Sequence, residues 1–347
     1  CMCPDASVGD TGVVNGITYT KRTRQQITPG NASTTCTSGI TDMSSLFNQV
    51  IFNEDISSWD VSNVTNMNQM FAESYAFNQP IGYWDVSSVT NMNGLFFLNT
   101  AFNQPINDWN VSSVTDMGGM FIESGFNQPL DAWDVSNVTS MFTMFSSALA
   151  FNQSLDTWDV SNVGNMLAMF TNTPFNQDIS SWNVGNVVNM QDMFTGSSFN
   201  QPLDNWDVSN VINMSAMFSN TTFNQPIENW DVSSVLDMEG MFSNTSFNQS
   251  INDWNVSSVI NMYNMFNGNS SFNKDISTWT FNSAVDLVGM LNSTMMSVEN
   301  YDLLLSSMYD QPLVNKEFGD FSLSYCNVTD HDALINDKGW TFDGGQL

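Results

Sequence analysis

Hydrophobic and polar residues follow one phrase that recurs along most of the chain. In the copy that reads FNQPIGYWDVSSVTNMNGLF, the apolar residues Trp84 and Val86 flank a polar one, which is typical of a short strand. Val89, Met92 and Leu95 then recur every third residue, which favours one face of a short helix. One short strand and one short helix per copy, joined by a Phe-Asn-Gln turn, predict a leucine-rich-repeat-like coil.

A tryptophan marks each of ten copies, and successive tryptophans lie 24 or 25 residues apart. So steady a period leaves no room for a linker, because coils of this kind grow by stacking on one another. We therefore predict an α/β repeat fold, a single solenoid of about ten coils at residues 41–293, with an N-terminal cap at 1–40 and a C-terminal cap at 294–347. Within the C-terminal cap, a helix is expected at Tyr301–Tyr309. The tryptophans are Trp59, Trp84, Trp109, Trp133, Trp158, Trp182, Trp206, Trp230, Trp254 and Trp279.

An asparagine follows the phenylalanine of the phrase in all ten copies. A buried amide side chain at this turn can bond backbone groups of its own coil and of the next coil. We therefore expect these residues to form a structural ladder and not a binding site. The members of this asparagine ladder are Asn53, Asn78, Asn103, Asn127, Asn152, Asn176, Asn200, Asn224, Asn248 and Asn273.

The composition is strongly acidic, with 6 Lys and Arg against 35 Asp and Glu and a formal net charge of −29. Such a charge repels nucleic acid and suits cations, basic partners or a salty medium. An aspartate stands between Trp and Val in several copies, and this acidic row has two interpretations. The row offers oxygen ligands to calcium, or each aspartate bonds the serine two residues on; the second is preferred because no calcium-loop motif is present. The acidic row comprises Asp60, Asp85, Asp134, Asp159, Asp207 and Asp231.

No catalytic arrangement is visible in the sequence. The one histidine, His331, lacks the partner groups of a catalytic triad, and no cysteine pairs have the spacing of a zinc site. No stretch is long and apolar enough to span a bilayer. We therefore expect a protein that is not an enzyme, without a cofactor other than possible calcium and without a transmembrane segment. If the host glycosylates proteins, the best acceptors lie in the loop after the predicted helix, at Asn220, Asn244 and Asn269.

Four cysteines lie towards the two ends of the sequence, which begins at a cysteine and so favours a processed, secreted form. A bridge within the N-terminal cap can join Cys36 to Cys3 or to Cys1. Ten coils stacked at about 4.8 Å would separate Cys326 from these by roughly 50 Å, whereas a disulfide needs Cα atoms within about 7 Å. One N-terminal cysteine and Cys326 then remain to bond further copies head to tail. Alternatively, Cys326 is a free buried thiol, or Cys1 carries a lipid.

The recurring FNQPI, WDVSSVT and MF elements resemble BspA-like leucine-rich-repeat surface proteins, the group that includes mycoplasma lipoprotein-type repeats. The likeness covers roughly residues 40–290, and the caps are also similar, in CTSGITDM at Cys36–Met43 and in the ALINDKGWTF stretch near the end. The resemblance implies a secreted or cell-surface scaffold without enzymatic activity. Two functions remain open, namely head-to-tail self-assembly into a surface fibre or coat, and adhesion to a protein, a glycan or a cation-rich surface through the solenoid face.

Overall fold

The repeats consist of consecutive turns, and the strand and helix predicted for each coil are wrong. The computed structural model describes residues 2–344, and within its repeats the only extended pairing is a single bridge residue just before the methionine. The N–H of Trp84 donates to the Ile81 carbonyl at 3.1 Å, and the N–H of Val89 donates to the Val86 carbonyl at 2.9 Å. Both bonds close turns at the positions where a strand and the start of a helix were expected.

Two residues in each repeat adopt the left-handed backbone conformation, which an α-helix does not contain. In one repeat these are Gln69 and Glu73, with φ of 54° and 55°, and in a later one Ala216 and Asn220, with φ of 52° and 57°. This conformation is costly for L-residues other than Gly, Asn and Asp. The three-residue spacing of the apolar positions therefore arises from turns that each bury one side chain.

In the turn region, successive backbone N–H groups donate alternately to the next repeat and to a residue of their own repeat. The N–H of Gln69 donates to the Asn93 carbonyl of the next repeat at 2.8 Å, whereas the N–H of Met70 donates to the Met67 carbonyl of its own repeat at 3.1 Å. The N–H of Phe71 again donates to the next repeat. Half of the donors thus close turns while the other half join neighbouring repeats, so that buried backbone groups are paired.

Contacts within the chain divide it into two compact units, and both are built from stacked repeats. Unit 1 comprises Cys1–Val163 with Asn172–Gln177, and unit 2 comprises Gly164–Thr171 with Asp178–Leu347. Parallel bridges link the repeats in succession, at Asp42, Asn66, Asn91, Asp116 and Ser140 in unit 1 and at Asn165, Asn189, Asn213, Asp237, Asn261 and Asp286 in unit 2.

The core consists of columns in which equivalent aromatic side chains of neighbouring repeats stack. The rings of Trp59 and Trp84 are nearly parallel, with centroids 6.3 Å apart, and Trp230 and Trp254 repeat this arrangement at 6.5 Å. Each buried indole N–H needs an acceptor, and a carbonyl of the preceding repeat provides it. In the repeat that follows Trp84, for example, the indole nitrogen donates to the Ile81 carbonyl at 3.0 Å.

The asparagine ladder joins neighbouring repeats within each unit, but its members are partly or fully exposed and not buried. Asn78 Oδ1 accepts hydrogen bonds from the Asn103 N–H and from Gln104 Nε2, both at 3.0 Å. Asn103 Oδ1 in turn accepts from the Asn127 N–H at 2.9 Å. The expectation of burial is wrong because the phenylalanine before each asparagine takes the core side of the chain, which leaves the amide at the surface.

The N-terminal region is a small sheet with two short 3₁₀-helices. Strands β1 (Thr11–Val14) and β2 (Ile17–Lys21) form an antiparallel hairpin, and β3 (Thr35–Cys36) pairs with β2 in parallel. The 3₁₀-helices at Arg24–Gln26 and Pro29–Thr34 fill the connection between β2 and β3.

The C-terminal region contains the two α-helices of the described chain. Helix α1 spans Val298–Asp310 and confirms the helix expected at Tyr301–Tyr309, and α2 spans Val328–Asn336. Neither helix is long and apolar enough to cross a membrane. Strands β4 (Glu317–Phe318) and β5 (Thr341–Phe342) pair in parallel.

Inter-repeat pairing continues past Ser293, where the sequence pattern is lost. Phe318 forms a parallel bridge with Leu287, and the N–H of Leu291 donates to the Gly319 carbonyl at 2.9 Å. β4 therefore takes the place of a further repeat, and β5 pairs against it. Backbone pairing is preserved here although the side-chain phrase is not.

The sign of an alanine-to-glycine effect distinguishes turns from a helix. Ala168 has φ of 53°, so Ala168→Gly relieves left-handed strain and should stabilise the protein by about 0.5–1 kcal/mol after the entropy cost of glycine. In a helix, the same change would destabilise by about 1 kcal/mol. Urea unfolding measures the difference. Ala72→Gly, at a buried position without left-handed backbone, is the control and should destabilise; equal losses in both variants would contradict the turn structure.

Removal of one ladder acceptor should weaken a single junction between repeats. Asn78→Ala leaves the Asn103 N–H without its partner, and we expect a loss of about 1 kcal/mol in the free energy of unfolding. Asn78→Asp keeps the acceptor and should stay closer to the wild type. Hydrogen exchange should show faster exchange of the Asn103 amide. Asn229→Ala, at an exposed asparagine outside the ladder, is the control, and a loss as large as that of Asn78→Ala would argue against the ladder.

Candidate functional site

The aspartates of the acidic row accept hydrogen bonds within their own turns. Asp85 Oδ1 accepts from the N–H and the hydroxyl of Ser87, at 3.1 and 2.6 Å, and Asp207 accepts from Ser209 at the same distances. Five of the six carboxylates are exposed and Asp60 is half-buried. This geometry supports the interpretation in which each aspartate bonds the residue two positions on.

Hydrogen bonding also sets the electrostatics of the row. The hydrogen bonds from the serine two residues on lower the pKa of Asp159, Asp207 and Asp231 below the ordinary value. At Asp60, burial pushes the pKa upwards, but hydrogen bonds from Ser38 and from the following serine outweigh it, so that the pKa is lowered. These carboxylates are therefore negatively charged at neutral pH.

In the repeats where an asparagine replaces the aspartate of the row, its side-chain oxygen accepts the same hydrogen bond from the residue two positions on. Asn110 Oδ1 accepts from the Ser112 N–H at 3.2 Å, and Asn183 Oδ1 accepts from the Gly185 N–H at 3.1 Å. Within residues 2–344, no group of three or more His, Cys, Asp or Glu could hold a metal ion. Since an amide replaces the carboxylate without loss of the bond, the shared property of the row is its acceptor oxygen and not its charge.

The three candidate glycosylation sites occupy different environments. Asn220 and Asn244 are exposed, at the second left-handed position of their repeats. Asn269 is 0% exposed, and its Nδ2 donates to Thr245 Oγ1 and to the Phe247 carbonyl, both at 3.0 Å. An N-linked glycan attaches through Nδ2, so the expectation for Asn269 is wrong in the folded chain.

The structure brings together one cysteine pair. Cys3 and Cys36 form a disulfide with a Cα–Cα distance of 6.4 Å. Cys326 is exposed and is the one free cysteine in the described chain, so the alternative of a buried thiol is wrong. Its N–H donates to the Asp302 carboxylate at 3.0 Å, which holds it on the surface at the start of α2. Cys1 lies outside the described residues.

His331 packs as an aromatic side chain. Its ring is buried between those of Tyr325 and Phe342, with centroid distances of 4.1 and 4.5 Å. Its Nδ1 lies 3.5 Å from the Asp332 carboxylate. The contacts of this histidine are thus those of a packing residue in α2.

One exposed column in the repeats was not identified from the sequence. The residue just before the bridge residue is an exposed threonine in five repeats of unit 1 and an exposed aliphatic residue in four successive repeats of unit 2. In this column each N–H donates to the equivalent carbonyl one repeat earlier, as from Ile212 to Val188 at 2.9 Å. The change from VTNM to VINM along the sequence is the signal that marks it. The threonines are Thr41, Thr65, Thr90, Thr115 and Thr139, and the aliphatic residues are Val188, Ile212, Leu236 and Ile260.

The chain was compared with known families, curated proteins and solved structures. The model of the family described as "Mycoplasma protein of unknown function, DUF285" matches four stretches, residues 18–125, 123–224, 154–245 and 218–307. These stretches overlap in succession and together cover most of the chain, as expected of a repeated unit. No curated protein and no solved structure matches the chain.

Substitutions at Asp207 distinguish the contribution of its acceptor oxygen to stability from that of its negative charge. Asp207→Asn keeps the acceptor for Ser209 and should leave stability at pH 7 within about 0.5 kcal/mol of the wild type, whereas Asp207→Ala should cost about 1 kcal/mol. The folded-state pKa of Asp207 is lowered, so its contribution is present above the unfolded pKa of about 3.9 and is lost as pH falls through the folded value. When the pH is lowered from 7 to below about 4, the free energy of unfolding should therefore fall less in Asp207→Asn than in the wild type.

Urea unfolding between pH 2 and 7 measures these differences. Asp204→Asn, at a nearby exposed aspartate outside the row, controls for the change in net charge. If Asp207→Asn lost as much stability at pH 7 as Asp207→Ala, charge and not the acceptor oxygen would govern this turn.

Proposed function

Because the chain belongs to the repeat family described as a Mycoplasma protein of unknown function, we propose that it is a non-enzymatic, extracellular structural protein that assembles head to tail into a surface fibre or coat. In this proposal the ten repeats form one solenoid of stacked turns between caps at residues 1–40 and 294–347. The observation that carries the proposal is the exposed thiol of Cys326, left free while Cys3 and Cys36 are paired.

Edge strands near both termini support assembly. All four residues of β1 are exposed, including Val13 at 69%, and β1 is an outer strand of its sheet. Within the described chain, β5 pairs with β4 alone. An unpaired strand edge is a template for another chain. A contact between two different surfaces is heterologous, so it propagates through successive copies unless the rotation closes a ring.

The covalent link in this assembly is a disulfide between Cys326 of one copy and Cys1 of the next, the two cysteines outside the Cys3–Cys36 pair. An S–S bond forms, both thiols lose their protons, and two electrons pass to a small disulfide such as oxidised glutathione, which is reduced to two thiols. Such bonds persist in the oxidising surroundings of secreted proteins.

Adhesion is the second candidate function, and the aliphatic part of the exposed column favours it. Val188, Ile212, Leu236 and Ile260 are 43, 43, 41 and 48% exposed, at equivalent positions of four successive repeats in unit 2. Contiguous apolar surface of this kind is typical of interaction sites. A protein or glycan partner would contact this column, whereas head-to-tail assembly would leave it uncovered.

Gel electrophoresis of the native protein tests the covalent assembly. Without reductant, the wild type should give a ladder of multimers that collapses to the monomer with dithiothreitol, and Cys326→Ser should give the monomer in both conditions. Cys326→Ser combined with Ser324→Cys moves the thiol by two residues to another exposed position and should restore little of the ladder. A wild type that is monomeric without reductant, with Cys326 fully open to alkylation, would refute the disulfide link and favour adhesion.

A further inference from the structure

Positive charge is concentrated in one surface groove of the N-terminal region. Lys21, Arg22 and Arg24 are three of the six basic residues in the whole chain. Together with residues 38–42 they line a groove of about 420 Å³, referred to below as the basic groove. Its one carboxylate, Asp42, already accepts a hydrogen bond from the backbone of its own turn, at 2.8 Å.

The three basic side chains of the groove have no carboxylate partner. Each donates to a neutral backbone carbonyl, Lys21 to that of Cys3 at 2.9 Å, Arg22 to that of Thr34 at 2.9 Å, and Arg24 likewise. Within the described chain, no Lys or Arg nitrogen lies within 4.0 Å of a carboxylate oxygen. Arg24 Nε is in addition buried without any hydrogen-bond partner. The groove therefore has a net positive charge, with three basic side chains against the one carboxylate of Asp42, and an unused donor, although the protein as a whole is strongly acidic.

The C-terminal region has the opposite charge. The first 40 residues contain three basic and two acidic side chains, whereas residues 294–347 contain nine acidic and two basic ones. Asp332 and Asp337 are exposed, one within α2 and the other at its C-terminal end. Helix α2 begins two residues after the exposed thiol of Cys326, so the thiol lies close in sequence to these carboxylates.

From this complementarity we propose that the basic groove of one copy binds the acidic surface of α2 in a second copy. The inference rests on the proposed head-to-tail function and names the surfaces that meet at each junction. Lys21 bonds the carbonyl of Cys3, so the groove adjoins the cysteine-bearing N-terminal segment, just as α2 adjoins Cys326. Ion pairing and the disulfide therefore occur at the same junction, where pairing orients the two chains before the bond closes.

The net charge of −29 gives this junction a distinctive dependence on salt. At low ionic strength the two copies repel over long distances and association is slow and weak. At about 0.15 M salt the Debye length is about 8 Å, which screens that repulsion while close ion pairs remain. At about 1 M salt the pairs themselves are weakened. Association should therefore be strongest at intermediate salt.

A charge-swap experiment tests the pairing of groove and helix. The groove variant is Lys21→Glu with Arg24→Glu, and the helix variant is Asp332→Lys with Asp337→Lys. In a Cys326→Ser background without reductant and at 0.15 M salt, sedimentation velocity should show at least tenfold weaker association for each variant alone than for the chain with its native groove and helix, because like charges then face each other. An equimolar mixture should recover association, because every groove in it finds a helix of opposite charge.

The controls separate failure of this inference from failure of the proposed function. Lys274→Glu, at a partly exposed position within the repeats, changes the charge outside the groove and should associate as the wild type does. Circular dichroism and an intact Cys3–Cys36 bond verify folding of each variant, and recovery in the mixture requires folded chains. A groove variant that associates like the wild type overturns this inference but leaves head-to-tail assembly standing. A wild type without association in any salt and without disulfide multimers overturns both.

A small anion is the competing occupant of the groove. Calorimetry with inorganic phosphate, on the wild type and on the groove variant, tests whether the groove binds a small anion. Phosphate binding that is lost in the groove variant while its association stays at the wild-type level would assign the groove to a small anion and overturn the inference. Weak phosphate binding together with loss of association supports it.

Discussion

A backbone that runs almost entirely in turns must find partners for its buried N–H and C=O groups outside helices and long strands. In this protein the neighbouring repeat provides them. At one junction the backbone N–H of Gln69 donates to the Asn93 carbonyl of the next repeat. At another, the buried indole N–H of Trp109 donates to the Ile81 carbonyl of the preceding repeat. Each repeat depends on its neighbours for these bonds, which explains why inter-repeat pairing continues into β4 and β5 after the side-chain phrase has ended.

The period and the core were accessible from the sequence because both depend on which side chains are apolar. The local backbone conformation was not accessible from the sequence, because burial of every third residue fits either a helix or a series of turns. The left-handed positions distinguish the two, but glycine occupies the first of them only in some copies, such as Gly94, while others have Ala168 or Thr143. A single copy therefore looks helical. Only the recurrence of Gly, Asn and Asp at two fixed positions across the copies indicates turns.

The candidate functional surfaces were predictable from the sequence to different degrees. The positions of the cysteines pointed to the ends of the chain, but the choice between Cys1 and Cys3 as the partner of Cys36 required the structure. The basic groove could not be found from composition, because it depends on folding residues 21–25 beside residues 38–42, where three basic side chains outnumber the one carboxylate, Asp42. The burial of Asn269 likewise comes from contacts with the preceding repeat, which a glycosylation motif does not report.

The stacking has a consequence for how such a chain folds. Bonds of the asparagine ladder and the indoles join residues 24 to 28 positions apart, whichever repeat they belong to. The entropy lost in closing each such loop is therefore nearly the same along the array. Folding can begin at any pair of neighbours and spread outwards, so its rate need not fall steeply as repeats are added. Opening under native conditions starts instead at the outermost pairs, and the covalent bond between Cys3 and Cys36 opposes it at the N-terminal end.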